Sequence, residues 1–474
     1  MTPLFDGVLV ILADGARPDV IEQLVAAGEM PRVKQHFADA GGLGRATSVF
    51  PTVTGPAHLP VLTGVHPGRA NVPGIRWAER PGRLGFLGRT RSYMTPLRQW
   101  KLERDLPASI TSLFGHVPGM ADVNTMFVRG CPGRARLTRF SKAAAFVRSL
   151  VTRDWYASDG QAEGAVRRAI DRGFPSAFAV FPAVDELGHR FGPLCDESYE
   201  AYRRLDAAIG RLFDHLSRVG RAERTLVMVT SDHGQTATHT HVDVDDLVAE
   251  VYPRTLSYPR LWRHLFSADA ATMVSGNAMA NVYVRGTSGW RDRPDFEAAG
   301  QAADLCARLI ENPAVAHVIF RRPAGGYVVA GARGRMAIDH DGDGARLRLA
   351  VEGESPLGPV PAAGTAAEIL SATAGGPFPD APWQIAQFFR ASRAGDLVVC
   401  ARPGYDLRSR FEYQPHNGSH GCLDREHMLI PAAVNAVWQG GPVRSVDLFP
   451  SILAALGLPV PAGLDGEAVP LARA

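Results

Sequence analysis

Several things that narrow a protein's class are scarce in this 474-residue chain. The five cysteines (Cys131, Cys195, Cys306, Cys400 and Cys422) are far apart and form no CxxC pair. That excludes a disulfide framework and a thiolate zinc site, and it predicts a reducing compartment. Lysine is nearly missing: only Lys34, Lys101 and Lys142 stand among 51 basic residues, a compositional bias that carries little functional weight. Charge of one sign is also lacking, since 51 Lys+Arg less 48 Asp+Glu leaves +3. A dedicated nucleic-acid binder would be more basic, so no nucleic-acid polymer is expected as a partner. Long apolar runs are absent too. The start, MTPLFDGVLVILADGARPD, has no basic n-region, and Asp6 and Asp14 bracket a run too short to span a bilayer. The late stretch LFPSILAALGLPVPAGL is broken by Pro450, Pro459 and Pro461. No membrane partner and a cytoplasmic location are the expectation. Repeats and low-complexity tracts are missing as well.

What remains is ordinary for a globular enzyme-sized chain: 46% hydrophobic and 21% charged, with enough length to bury a core without staples. GVLVILADG, SAFAVFPAVD and RTLVMVTSDHG are continuous apolar runs that end in acidic residues, as strands buried on both faces of a parallel sheet do. PDVIEQLVAAG and ESYEAYRRLDAAIGRLFDHLSRVG between them have helical spacing, the latter with a stripe of Tyr199, Tyr202, Leu205, Ile209, Leu212 and Leu216. The fold class is therefore α/β, a mostly parallel central sheet flanked by helices, with polar chemistry at the strand carboxyl ends where ligands of such sheets bind. Residues 1–240 and 405–474 form the predicted core. An α+β insertion is expected over about 241–404, with a helix in WRDRPDFEAAGQAADLCARLIENP and successive strands over AHVIFRRPAGGYVVAGARGRMAIDHDGDGARLRLAVEG. The chain is expected to return to the core at GDLVVCARPG, and VRSVDLFPSILAALGL reads as a strand leading into a helix.

Five places combine metal-ligand residue types with these strands or with flanking glycines: Asp14, Thr54, Asp185 with His189, Asp232 with His233, and His420. Three carboxylates, three imidazoles and one hydroxyl suffice for two divalent ions. Mixed nitrogen and oxygen donors without thiolate suit zinc, with manganese as the other option.

With these motifs the chain resembles the alkaline phosphatase superfamily, in its type I phosphodiesterase/nucleotide pyrophosphatase branch. The early Asp-Gly is Asp14-Gly15, and the nucleophile motif is Thr54-Gly55-Pro56-Ala57-His58, followed by Thr63-Gly64-Val65-His66-Pro67. The motif D-x-x-G-H-x-x-G-P is Asp185, Gly188, His189, Gly192 and Pro193. The remaining two are Ser231-Asp232-His233-Gly234 and Gly418-Ser419-His420-Gly421. The resemblance implies one zinc held by Asp185, His189 and His420, and another held by Asp14, Asp232 and His233 beside Thr54. It implies a phosphothreonine intermediate at Thr54, with Gly55 letting a backbone N–H approach the phosphoryl oxygens. It implies hydrolysis of a small phosphate diester, with a nucleotide as one option. The branch's phosphoryl-binding asparagine is replaced by Ile75, so Asn71 and Arg76 stand as substitutes and a second reading stays open. In that reading the same two-metal site serves a phosphomonoester or phosphonate hydrolase of the phosphonoacetate hydrolase type. Either way the partner is a small anionic phosphate ester.

Other features have plainer readings. His58 is expected to hold its loop, and His239 and His241 to serve a loop or support the metal ligands. Arg17 is placed to orient the Asp14 carboxylate. Asp339, Asp341 and Asp343 mimic a calcium loop, but Ala350 stands where its bidentate Glu is required, so a turn between strands is expected. The arginines of 76–104 (Arg80, Arg83, Arg89, Arg91 and Arg98, interleaved with Trp77, Phe86, Tyr93 and Trp100) read either as a substrate clamp or as a solvated lid.

Overall fold

Gly7–Ala13, Ser176–Phe181 and Thr225–Thr230 are strands with every residue buried, and they lie side by side in parallel, Gly7–Ala13 in the middle. Their apolar residues are continuous because both faces are covered. Val8, Val10 and Leu12 enter one core and Leu9, Ile11 and Ala13 the other. The computed structural model describes residues 3–93, 99, 101–342, 344–408, 410 and 415–474. Around the three strands it places a seven-stranded sheet in the order Val443–Arg444, Leu43–Thr47, Leu429–Val434, Thr225–Thr230, Gly7–Ala13, Ser176–Phe181, Met120–Val123. Only Leu429–Val434 runs against its neighbours. Helices Pro18–Ala26, Tyr156–Asp171 and Asp196–Arg218 pack on one face, and His58–Thr63, Leu113–His116 and Ser445–Ala455 on the other. The fold is thus α/β, a central mixed sheet flanked by helices.

A second sheet of nine strands is built between residues 255 and 401. Its strands pair antiparallel except for Thr255–Ser257 against Ala270–Ser275. Three expectations are corrected here. The segment GDLVVCARPG does not rejoin the first sheet, because Leu397–Ala401 pairs with Met279–Val284 and Val315–Arg321 in the middle of the second. Its apolar run reflects burial between those two strands. The helix within 290–313 is shorter than its pattern suggests, covering Gln301–Glu311, since Pro294 and the Gly300 break precede it. Asp185 does not end a strand: it lies with His189 in the helix Ala183–Phe191.

The aspartates at 339 and 341 sit at the end of strand Gly334–Asp341, which pairs with Arg346–Gly353 as a hairpin. Asp343, Arg98 and Trp100 lie outside the described residues. A buried pair ties the first sheet to the start of the helix Ala381–Phe388, which packs in the core of the second: Arg444 donates from Nε to Asp380 Oδ2 at 2.7 Å and from Nη2 to Oδ1 at 2.8 Å. No helix among the described residues is long and apolar enough to cross a membrane.

Candidate active site

Three adjacent parallel strands deliver the acidic residues to one edge of the first sheet. Asp14 follows Gly7–Ala13, and Asp232 and His233 follow Thr225–Thr230, whose register aligns Leu12 with Thr230. On the other side Ala13 aligns with Phe181, after which the chain turns into the Ala183–Phe191 helix. Residues four apart share a helix face, so Asp185 and His189 point the same way, His189 Nε2 lying 3.5 Å from Asp185 Oδ2. His420 arrives from the far end of the chain, bridged to Asn277 of a hairpin turn in the second sheet. Gly276 in that turn has φ +63°, and a Cβ there would stand 2.8 Å from His420 Nδ1, so only glycine lets the hairpin approach the imidazole.

Thr54 sits in a turn before the helix His58–Thr63. Its Oγ1 lies 3.0 Å from His233 Nε2 and donates to Asp14 Oδ1 at 3.4 Å. Gly55 next to it has φ +102°, a left-handed backbone that presents Thr54 on a tight turn. The three imidazoles share one arrangement. His189 Nδ1–H donates to Gly418 O at 2.7 Å, His420 Nδ1–H to Thr52 O at 2.8 Å, and His233 Nδ1–H to Gly234 O at 3.2 Å. A carbonyl can only accept, so Nδ1 carries the proton and Nε2 is the nitrogen left to serve as a ligand; at His189 and His233 it faces carboxylates. The His233 and His420 rings stack at 3.6 Å.

The electrostatics call for a cation. Burial, then Asp232 and Asp185, push the Asp14 carboxyl well above its usual range. Burial acts the same way on Asp232, but the neighbouring imidazoles of His233 and His58 pull its carboxyl below the ordinary value. Burial and the other imidazoles hold His420 neutral. Asp232 Oδ2 is buried without a hydrogen bond. Ligand atoms converge within 4.8 Å of one another in three sets: Asp185, His189 and His420; Asp14, Asp185 and His233; Asp14, His58 and Asp232. Buried carboxylates beside imidazoles whose Nδ1 is tied to a carbonyl and whose Nε2 turns inward fit divalent cations by donor type.

A family model for type I phosphodiesterase / nucleotide pyrophosphatase matches residues 8–423. The chain belongs to this family. It is accordingly an enzyme that hydrolyses phosphoric esters, and the family is metal-dependent. The match runs through the second sheet and stops before the last two strands of the first, Leu429–Val434 and Val443–Arg444, and the helix Ser445–Ala455. Among relatives, human ectonucleotide pyrophosphatase/phosphodiesterase family member 7 is 38% identical over 56 residues, a stretch covering 12% of each protein. Phosphonoacetate hydrolase from Sinorhizobium meliloti 1021, solved with phosphonoacetate and with phosphonoformate, superposes with a TM-score of 0.60 at 16% identity over 96% of both chains. Murine ectonucleotide pyrophosphatase/phosphodiesterase 5, solved in an inactive form with AMP, gives 0.54 at 16% identity, also over 96% of both. At such identity these structures share the fold of this phosphodiesterase-family chain.

The site opens into a cavity of about 300 Å³. Arg76 and Ile75 line it, whereas Asn71 does not. The Asn71 side chain is committed elsewhere, donating to Ser392 Oγ at 3.1 Å and accepting from Arg393 N at 3.1 Å, because the loop end it occupies packs on residues 392–393. Arg76 donates from Nη1 to Val274 O at 2.9 Å. Arg17 pairs with Asp19 rather than with Asp14 and donates to Gln235 O. Arg80, Arg89 and Arg91 pair with Asp396, Glu79 and Asp105, so this part of the 76–104 stretch is bound to protein carboxylates.

Beyond the residues read as ligands, several others stand at the site. His58 Nε2 lies 3.2 Å from Asp232 Oδ2, inside the carboxylate nest. Gln235 Nε2 donates to both the carbonyl and the carboxylate of Asp185. Its place two residues after His233 was the available signal. Glu186 lines the cavity, its carboxyl pushed up to about 8 by burial and by Asp185. His416 lies against His189, the ring centroids 4.6 Å apart and tilted by 36°, and is reached through Asn277, Asp406 and His241. His239 is exposed on the strand Thr236–His241.

Proposed function

We propose that the chain hydrolyses a small phosphate diester or pyrophosphate, a nucleotide being one option, through a phosphothreonine at Thr54 with two divalent metals, zinc or manganese. The observation that carries this is the Thr54 hydroxyl, 3.0 Å from His233 Nε2 and 3.4 Å from Asp14 Oδ1 on the floor of the cavity. Asp185, His189 and His420 would hold one ion, and Asp14, Asp232 and His233 the other, with His58 against Asp232. When bound, such ions supply the positive charge that favours an alkoxide at neutral pH and steadies the departing oxygen. Thr54 Oγ1 attacks phosphorus and forms the P–O bond. The bond to the leaving oxygen breaks, and the leaving alcohol takes up a proton. Water then cleaves the phosphothreonine and restores the hydroxyl. The turn at Gly55 aims the backbone behind Thr54 at the phosphoryl oxygens. The five free cysteines are compatible with the reducing, cytoplasmic setting included in this reading.

Ile75 in the cavity wall favours the second reading, a phosphomonoester or phosphonate hydrolase. It offers no hydrogen bond to a phosphoryl oxygen, while Arg76 beside it brings the cation that a more highly charged phosphoryl group needs. The test is a zinc-reconstituted assay of bis-p-nitrophenyl phosphate against p-nitrophenyl phosphate, by kcat/KM, with Thr54→Ala in parallel. A diester preference lost in the variant supports the first reading, and a monoester preference the second. Activity that survives Thr54→Ala removes the nucleophile from both.

A further inference from the structure

The cavity contains a cation that the hydrolytic chemistry does not use. Lys142 lies on the first turn of the helix Ser141–Thr152, whose cavity side also carries Ala145, Phe146 and Leu150. The other two lysines, Lys34 and Lys101, are exposed. Lys142 Nζ donates to two neutral acceptors, Gln99 Oε1 at 2.6 Å and Thr125 O at 2.9 Å. Among the described residues no carboxylate pairs with it. The nearby Asp122 instead accepts from the N–H and hydroxyl of Thr125. Burial lowers the ammonium pKa to about 8, with Asp122 and Arg136 acting in opposite directions. An ammonium has three donors, and two are used. The side chain is half-buried and its third donor is left for a partner, which an anion entering the cavity would supply. A methionine would fill the same wall without those donors.

The cavity that Lys142 shares with the metal-ligand cluster has mostly apolar walls, Ile75, Met126, Phe146, Leu150 and Trp155 among them, with Arg153, Glu186 and Arg190 also on its lining. Resting on the phosphoester reading above, we propose that Lys142 determines specificity: it binds a second anionic group, carboxylate or phosphate, at the far end of an apolar substituent of the phosphoester. The substrate class is then an ester with a phosphoryl group at one end, an apolar body, and a second negative charge at the other. A bare alkyl or aryl ester is a poorer fit.

The test is calorimetric binding of arylphosphonates to the full-length zinc-reconstituted enzyme. In each pair the ring carries, on a linker of increasing length, either a carboxylate or its methyl ester, and a parallel series ends in a second phosphonate. At one linker length the charged member is expected to bind about tenfold tighter than the ester, as a charge-assisted hydrogen bond allows. The advantage should fall on either side of that length. In Lys142→Met the ratio should drop to about one, whereas Lys142→Arg keeps a preference. The carboxylate and phosphonate series then tell which anion fits. Methyl esters that bind while no charged partner binds tighter would overturn the Lys142 assignment alone. So would a ratio that Lys142→Met leaves untouched. If neither member of any pair binds, the phosphoester reading itself falls, and Lys142 with it. Should Lys142→Met fail to fold by circular dichroism, the wild-type length series decides, because a fixed charge gives a peak and a diffuse field does not.

Discussion

The two sheets do different work. The seven-stranded sheet is parallel at its centre, so the ends of three neighbouring strands bring Asp14, Asp185, Asp232 and their histidines to one edge. The nine-stranded sheet is almost wholly antiparallel, and its connections fall at both ends. It reaches the site through one hairpin turn, at Gly276 and Asn277, which shapes the place of His420. A parallel sheet concentrates chemistry, whereas an antiparallel one here supplies a wall and a brace. That contrast can be broken or sharpened in four ways.

The largest effect is expected at the first sheet's edge. His420→Ala should lower kcat/KM by more than about a hundredfold, since even outer partners of metal ligands act at the 10–100-fold level. Metal analysis should show less bound metal per chain. Full metal content with full activity would remove His420 from the site. Next is the link between the sheets. Asp380→Asn leaves the Arg444 guanidinium buried without its counter-charge, and a loss of about 3–5 kcal/mol is expected in urea unfolding. A stability unchanged within error would mean that the sheets do not depend on this pair.

Smaller, and the sharpest test of the contrast, is Gly276→Ala. The added Cβ presses on His420 from the second sheet, and a misplacement of about 1 Å can cost up to a hundredfold in rate. A loss of roughly 10–100-fold in kcat is expected, together with a lowered melting temperature, since φ +63° strains an alanine and its Cβ meets the His420 backbone. An unaffected rate would show that the hairpin merely fills space. The mildest effect is acid sensitivity, with one buried histidine near each sheet. Burial lowers His66 and His317 from 6.5 to about 4 each. Both are neutral in either state above pH 6.5, so stability is full there. As pH falls from 6.5 towards 4, the unfolded chain takes up protons first, and each site is expected to cost on the order of 1–3 kcal/mol. His66→Gln and His317→Gln should each flatten the fall in melting temperature over that window. If the sheets unfold together, both variants act on one transition. If they unfold apart, His317→Gln moves only one of two.

The parallel strands were legible because burial on both faces leaves continuous apolar runs, and the acidic residues that follow those runs marked the site. The Asp-x-x-x-His pattern of Asp185 and His189 was legible as a pair but not as a helix, since a short apolar run leads straight into it. Leu397–Ala401 was misplaced for the same reason: an apolar run reports burial, and burial is alike in the middle of either sheet. Asn71 looked available for a phosphoryl oxygen until the loop end packed on residues 392–393. Lys142 and Gln99 lie far from every motif, and only the fold brings them to the cavity.

By itself the sequence determined the fold class, the family, the set of chemically capable residues and the likeness of Thr54 to a nucleophile. These depend on local patterns: periodicity, turn residues and fixed spacings within a motif. The tertiary structure alone decided which imidazole nitrogen faces the carboxylates, that His58 and Gln235 join them, that a hairpin of the second sheet braces His420, and that a lysine lines the cavity. Those are contacts between residues tens to hundreds of positions apart, and their geometry comes from packing, which no short stretch of chain encodes.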